Sequence, residues 1–171
     1  MNTKKTVLAG LMIALGMVLP LLTMQIPEIG SMLLPMHLPV LLGGFICGPA
    51  YGALVGFIVP ILRSLLFGMP VLMPMALAMA FELLAYGLVT GLLYNKLKKV
   101  KFGIYLSLIP ALLIGRIVWG IAAYLLFSMT GKTFTIALFI SGAFVNAVPG
   151  IILQLILIPI IVASLKKNKL V

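Results

Sequence analysis

Long apolar segments, separated by short polar or proline-containing stretches, make up nearly the whole chain. A straight helix needs roughly 20 apolar residues to cross about 30 Å of hydrocarbon. Six segments are predicted as membrane-spanning helices, at residues 6 to 25, 37 to 47, 50 to 67, 71 to 95, 103 to 127 and 136 to 165. The second and third are short, and Gly48-Pro49 is the natural break between them. We therefore expect both to pack inside the bundle rather than face lipid.

The amino-acid composition indicates that most of this chain is surrounded by the lipid bilayer. Hydrophobic residues are 64% of the sequence, charged residues are 8%, and the mean hydropathy is +1.33, whereas about 25% of a soluble domain is charged. So few charges do not cover a water-exposed surface, but lipid-facing helices need none. The sequence predicts an all-α, multi-pass protein of the cell membrane, with residues 1–171 as a single domain. No small-residue cleavage site follows the first apolar run, so we expect it to be retained as a span.

The basic residues carry a topology signal. The net charge is +10, and nine of the twelve basic residues fall in three clusters between apolar segments. The clusters are Lys4 and Lys5; Lys96, Lys98, Lys99 and Lys101; and Lys166, Lys167 and Lys169. Short cytoplasmic loops accumulate Lys and Arg, so the three clusters share one face and an even number of spans separates them. Six spans with both termini in the cytoplasm follow, and nucleic acid is not an expected partner.

Three charged residues lie inside predicted spans, namely Arg63, Glu82 and Arg116. A charge inside the bilayer is costly unless it finds a partner or water, which makes such residues candidates for function. One interpretation is structural, with a Glu82–Arg116 ion pair joining two helices and Arg63 snorkelling to the outer interface. The other is that two arginines and one glutamate leave a positive charge. A bound carboxylate or phosphate would balance it, because guanidinium suits planar anions.

Other polar side chains occur in the outer half or the middle of the predicted bundle. His37 opens the second span, Trp119 follows Arg116 on the same helical face, and Asn146 lies in "GAFVNAVPG". Hydrogen bonds between helices are one role for His37 and Asn146. Together with the charged residues they also fit a mostly apolar pocket with a few polar groups. The loop "QIPEIGSMLLPM", residues 25 to 36, is then external, either a lid or an interfacial loop.

Several chemistries are not expected. "TGKT" at residues 130 to 133 ends like a phosphate-binding loop, but Leu126 stands where the first glycine is required, so this chain should not bind ATP. One histidine, one cysteine and two carboxylates do not form a three-ligand metal site. No serine has an evident activating base. We expect neither a cofactor nor an enzyme, and the single cysteine excludes an internal disulfide.

Small residues recur at a spacing that allows close helix contact. Gly10 and Ala14 form such a pair on the first helix, where they serve either a partner protein or internal packing. Glycines expected to pack helices within the bundle are Gly48, Gly52, Gly56, Gly87 and Gly91.

Three segments carry a resemblance to a known family. They are "LPMHLPVLLGGFICGPAYGALVGFIVPILRSLLFGMP", "MALAMAFELLAYGLVTGLLY" and "GAFVNAVPGIILQLILIP". The chain resembles, over roughly residues 6 to 165, the substrate-binding S components of energy-coupling factor (ECF) vitamin transporters. The resemblance implies a protein that captures a vitamin from outside and docks onto a transmembrane T component coupled to two cytoplasmic ATPases, with toppling of the S component during transport. It also implies that Gly10 and Ala14, a variant of an alanine-x-x-x-alanine pattern, meet the T component.

The chain looks most like the pantothenate-type branch of these proteins. Arg63 or Arg116 would suit the carboxylate of pantothenate, and Asn146 or His37 its hydroxyls and amide. Pyridoxine or hydroxymethylpyrimidine is the alternative, as a neutral ring for Trp119 to stack on and Glu82 to hydrogen-bond. Outside this family, two hypotheses remain: a stand-alone transporter with Glu82 as a proton site, and a structural membrane subunit that binds no ligand.

Overall fold

The computed structural model describes residues 3–23 and 32–168, and nearly all of these residues are helical, with no strand among them. The α-helices of the described ranges, numbered in chain order, are α1 (Thr3–Val18), α2 (His37–Cys47), α3 (Pro49–Phe67), α4 (Leu77–Leu97), α5 (Gly103–Met129), α6 (Ile136–Ile140) and α7 (Val148–Lys167). A 3₁₀ turn at Leu19–Thr23 extends α1. Turns of π-helix precede α4 at Leu72–Ala76 and join α6 to α7 at Ser141–Val145. Most of the predicted lid lies outside the described residues.

The predicted all-helical membrane bundle is confirmed. Helical stretches long and apolar enough to cross a membrane are Thr3–Leu22, Pro49–Phe67, Leu72–Leu97, Gly103–Met129 and Ile136–Lys167. The shorter apolar helix α2 corresponds to the second predicted span. Each predicted segment agrees with a helical stretch to within a few residues at either end.

Helices α2 and α3 differ in their environment, although both were expected inside the bundle. In α2 all residues except Leu38 and Ile46 are buried. By contrast, α3 leaves Leu54 54% exposed and Phe57 37% exposed. The prediction is therefore right for α2 and wrong for α3, because α3 packs through one glycine-lined face and turns the opposite face outward.

The glycines of α3 and α4 allow these two helices to touch backbone to backbone. A Cβ added at Gly56 would overlap the carbonyl group of Leu83, and one added at Gly87 would overlap the carbonyl group of Gly52. Even alanine therefore does not fit without a shift of the helices. The predicted role in internal packing is confirmed for Gly52, Gly56, Gly87 and Gly91. By contrast, a Cβ added at Gly48, which precedes α3, would have only Lys5 Nζ of the described residues nearby, at 3.9 Å.

Helix α4 is the centre of the bundle and packs against α2, α3 and α5. Its buried residues Leu83 and Tyr86 belong to the main hydrophobic core, together with Val40 and Leu41 of α2 and Leu108 of α5. A second, smaller core surrounds Trp119. A polar side chain on the buried face of α4 must therefore find its partners inside the protein.

Candidate functional site

A cavity of ≈ 470 Å³ opens among the helices at one end of the bundle. Many of its lining residues lie close to helix ends. They include Pro20 just after α1, His37 at the start of α2, Met69 and Pro70 just after α3, and Phe127 near the end of α5. The volume is within the range of about 300–1,000 Å³ that is usual for small-molecule sites. The structure places all six predicted substrate-binding residues on its wall: His37, Arg63, Glu82, Arg116, Trp119 and Asn146.

The lysine clusters occupy the opposite helix ends. Lys4 and Lys5 are in the first turn of α1, Lys96 is in the last turn of α4, and Lys166 and Lys167 are in the last turn of α7. Two of the clusters meet, because Lys166 Nζ donates a hydrogen bond of 3.0 Å to the backbone oxygen of Lys98. The cavity and the clustered lysines are therefore at opposite ends of the helices.

Glu82 is the one acidic side chain in the described ranges, and it is 1% exposed. Its Oε1 atom is 2.9 Å from Nη1 of Arg116 and accepts a 3.0 Å hydrogen bond from the hydroxyl of Tyr86. The Nε2 atom of His37 lies 3.6 Å from the same oxygen. Side chains from α2, α4 and α5 thus converge on one carboxylate oxygen, which joins the three helices electrostatically.

Arg116 keeps unused hydrogen-bonding capacity in this cluster. Its Nε and Nη2 atoms are buried and have no hydrogen-bond partner among the described residues, although Nη1 is paired with Glu82. Both ring nitrogens of His37 likewise lack a hydrogen bond there. Buried polar groups are normally satisfied, and an unmade hydrogen bond costs about 1–3 kcal/mol, or more for a charged group. Such unused donors are what a cavity built to receive a polar ligand would contain.

Arg63 is held differently from Arg116. It is 4% exposed, its Nη1 atom donates a 3.0 Å hydrogen bond to the backbone oxygen of Met17, and its guanidinium lies 5.2 Å from the ring centre of Phe67. Met17 is in the last turn of α1, where carbonyl groups have no partner within their own helix. Arg63 therefore binds the backbone near the end of α1. Within the described residues, no carboxylate forms an ion pair with it.

The charges on the cavity wall do not cancel. Arg63 and Arg116 are cationic and Glu82 is anionic, so with a neutral His37 these described residues sum to one positive charge. Charges in a low-dielectric site interact strongly with a charged ligand, because little water screens them. A ligand with one negative charge would bring the sum to zero.

Aromatic side chains form another part of the wall. Trp119 is 8% exposed; its ring is stacked with that of Phe139 at 6.2 Å and meets the edge of Phe134 at 5.7 Å. Asn146 is more open, and its Nδ2 atom donates a long 3.4 Å hydrogen bond to the hydroxyl of Ser141, another lining residue. This part of the wall is therefore an apolar surface beside one amide group, that of Asn146, whose long hydrogen bond a ligand could replace.

Tyr86 is a residue of the cluster that the sequence pattern did not single out. Its hydroxyl binds Glu82, which precedes it by four residues on α4. Residues four apart share a helix face, so this signal was present in the sequence. A tyrosine in an apolar run is usually a core residue, however, and only the buried carboxylate beside it gives its hydroxyl a partner.

Gly10 and Ala14 lie away from the cavity, on the outward face of α1. Both are exposed, as are Val7, Leu11 and Val18 on the same helix. No heavy atom of the described residues lies within 4 Å of a Cβ built on Gly10. Internal packing of Gly10, the alternative left open by the spacing, is therefore excluded within the described residues, and its role in partner docking stays a prediction.

Helices that cross a membrane around a mostly apolar cavity with a few polar groups define a membrane-embedded binding protein. The sequence profile of the family described as ECF transporter, substrate-specific component, matches residues 4–162. The chain belongs to this family, whose members are substrate-binding subunits of transporters and not enzymes. Membership implies a small substrate and membrane partners that include a T component and ATPases. Neither the curated proteins nor the solved structures gave a significant match.

Proposed function

We propose that this chain captures pantothenate from the extracellular side for an ATP-driven ECF importer, and that the cavity is the capture site. The observation that carries the proposal is the pair of buried arginines on the cavity wall, where the described lining residues include one carboxylate. Pantothenate offers one carboxylate for the surplus positive charge, and its hydroxyls and amide match His37 and Asn146.

The positions of the lysines support an outward-facing cavity. Short loops rich in Lys and Arg are cytoplasmic, and the cavity is at the helix ends away from the clusters. Lys132, near the cavity end, is a single departure from this bias. The proposed orientation places both termini in the cytoplasm and lets substrate enter from outside.

Partner docking is proposed on the exposed face of α1. Gly10 and Ala14 leave a shallow strip on this face, because neither side chain extends beyond a methyl group, and small residues let a second helix approach closely. The T component would pack there and couple the chain to the two ATPases, outside the cavity and independent of its residues.

A neutral ring vitamin is the second candidate substrate. Pyridoxine or hydroxymethylpyrimidine would stack on Trp119, whose ring already stacks with Phe139, and would hydrogen-bond to Glu82. Such a ligand would leave the positive charge of the wall without a counter-charge, which is why pantothenate is preferred.

Calorimetry on the purified chain tests the substrate. Pantothenate, pyridoxine and hydroxymethylpyrimidine are titrated separately, and tight binding of pantothenate by the isolated chain is expected. Uptake is then measured in vesicles with the chain alone and with the T component and ATPases. Transport that needs ATP and the partners supports the proposal, whereas transport by the chain alone, driven by a proton gradient, would show a secondary transporter instead.

A further inference from the structure

The guanidinium of Arg116 has two different edges, and only one of them is used. Its Nη1 atom faces Glu82 at 2.9 Å, while Nε and Nη2 have no partner among the described residues. By naming convention, Nη2 is the terminal nitrogen on the same side as the Nε–H bond. The two unpartnered donors therefore point in parallel, as a fork whose spacing matches the two oxygens of a carboxylate.

Glu82 holds this fork in place and also limits what it can accept. Nη1, the Tyr86 hydroxyl and the nearby His37 all meet at Oε1 of Glu82, so side chains from three helices surround the oxygen that pairs with Nη1. The same carboxylate cancels the charge of Arg116, so that among the described lining residues the charge of Arg63 remains. A ligand with a second negative charge would meet the field of Glu82 without a further cation among the described lining residues.

We propose that the Nε–Nη2 edge of Arg116 is the carboxylate receptor of the cavity, and that Glu82 restricts the ligand to a single negative charge. This inference rests on the proposed function and gives it a chemical class: a monocarboxylate without a phosphate group. Arg63 supplies the long-range charge, since its position is fixed by the Met17 carbonyl. Arg116 supplies the direct, planar contact, and Glu82 is a positioning residue that need not touch the carboxylate.

Three related probes separate these roles in calorimetric titrations of the full chain. Pantothenate has the carboxylate, panthenol replaces it with a neutral hydroxymethyl group, and 4′-phosphopantothenate adds a phosphate. For the wild-type chain we expect pantothenate to bind more tightly than panthenol by about tenfold or more, because hydrogen bonds to charged groups contribute about 1.5–3 kcal/mol. 4′-Phosphopantothenate should bind more weakly than pantothenate.

For each variant, the affinities for two ligands are compared. Their ratio does not depend on the overall stability of the variant, so it reports the role of the substituted residue. Arg116→Lys keeps the charge but loses the parallel donors, so pantothenate affinity should approach that of panthenol. Arg63→Lys is the matched comparison and should lose less of the pantothenate preference. Glu82→Gln still accepts hydrogen bonds but has no charge, so the discrimination against 4′-phosphopantothenate should fall by about tenfold, as expected for a change of about 1.4 kcal/mol.

Several outcomes would overturn the inference and leave the family assignment intact. They are equal affinity of the wild-type chain for pantothenate and panthenol, equal losses in the two lysine variants, and an unchanged phosphate discrimination in Glu82→Gln. Tight binding of pyridoxine without binding of pantothenate would overturn the proposed function and the inference together. If Arg116→Lys does not fold, the comparison of pantothenate with panthenol in Arg63→Lys decides, because a retained preference for pantothenate assigns the carboxylate to Arg116 and a lost preference would overturn the inference. Failure of the proposed function is distinct, because then the wild-type chain binds no pantothenate.

Discussion

Glu82 on α4 and Arg116 on α5 form an ion pair of 2.9 Å that is closed off from solvent. The pair gives the buried carboxylate of Glu82 a counter-charge, but it uses only one nitrogen of the arginine. One residue pair therefore both joins two helices and leaves donors for a ligand. The structural and functional interpretations of these charges are compatible.

Removal of the carboxylate should destabilise the bundle. In Glu82→Ala the guanidinium of Arg116 loses its counter-charge inside the protein, and breaking such a buried pair costs about 3–5 kcal/mol. Thermal unfolding of the purified chain in detergent should show a clearly lower midpoint. Glu82→Gln is the control and should lose less, since the amide oxygen still accepts from Arg116 and Tyr86. Equal midpoints for Glu82→Ala and wild type would show that the ion pair contributes nothing to stability.

The close contact between α3 and α4 should not tolerate a methyl group. A Cβ at position 56 would overlap the Leu83 carbonyl group, and such overpacking typically costs about 1–3 kcal/mol. Gly56→Ala should therefore lower the unfolding midpoint, whereas Gly10→Ala, at a position with no described heavy atom within 4 Å of its Cβ, should not. A similar midpoint for both variants would contradict the packing described for these helices.

The outward face of α1 should affect uptake without affecting capture. Gly10→Leu and Ala14→Leu fill the exposed strip on which the T component is proposed to pack, so vitamin uptake by the whole transporter should be abolished. Binding to the purified chain should remain, because neither residue lines the cavity. Ala163→Leu, at an exposed position on α7, is a control of the same size change. Normal uptake by both α1 variants would exclude this face as the docking site.

Trp119 should report ligand entry by its fluorescence. It is the only tryptophan of the chain and lines the cavity, so a bound molecule changes the environment of its indole ring. Titration with pantothenate should change the emission intensity or wavelength, and Trp119→Phe should abolish the signal. Emission that stays constant while calorimetry shows binding would place the ligand outside this cavity.

The sequence predicts those contacts of the site that follow from the cost of a charge inside a membrane. A carboxylate within an apolar span must find a cation, so the pairing of Glu82 with Arg116 follows from the residue types and their depth in the spans. The Arg63–Met17 contact could not be foreseen, because its acceptor is a backbone oxygen that depends on where α1 ends and how α3 crosses it. The outward face of α3 was missed for a related reason: shortness suggested burial, whereas a one-sided glycine pattern decided the orientation.

Mass spectrometry of the chain purified from cells grown with vitamins tests the central claim most directly. Wild-type protein in native detergent complexes should carry a small monocarboxylate in stoichiometric amount, identified as pantothenate after release. The Arg116→Ala variant, purified in parallel, should carry little or none. A wild-type chain that is folded but empty, and that binds no added vitamin, would contradict the account of this cavity as a capture site.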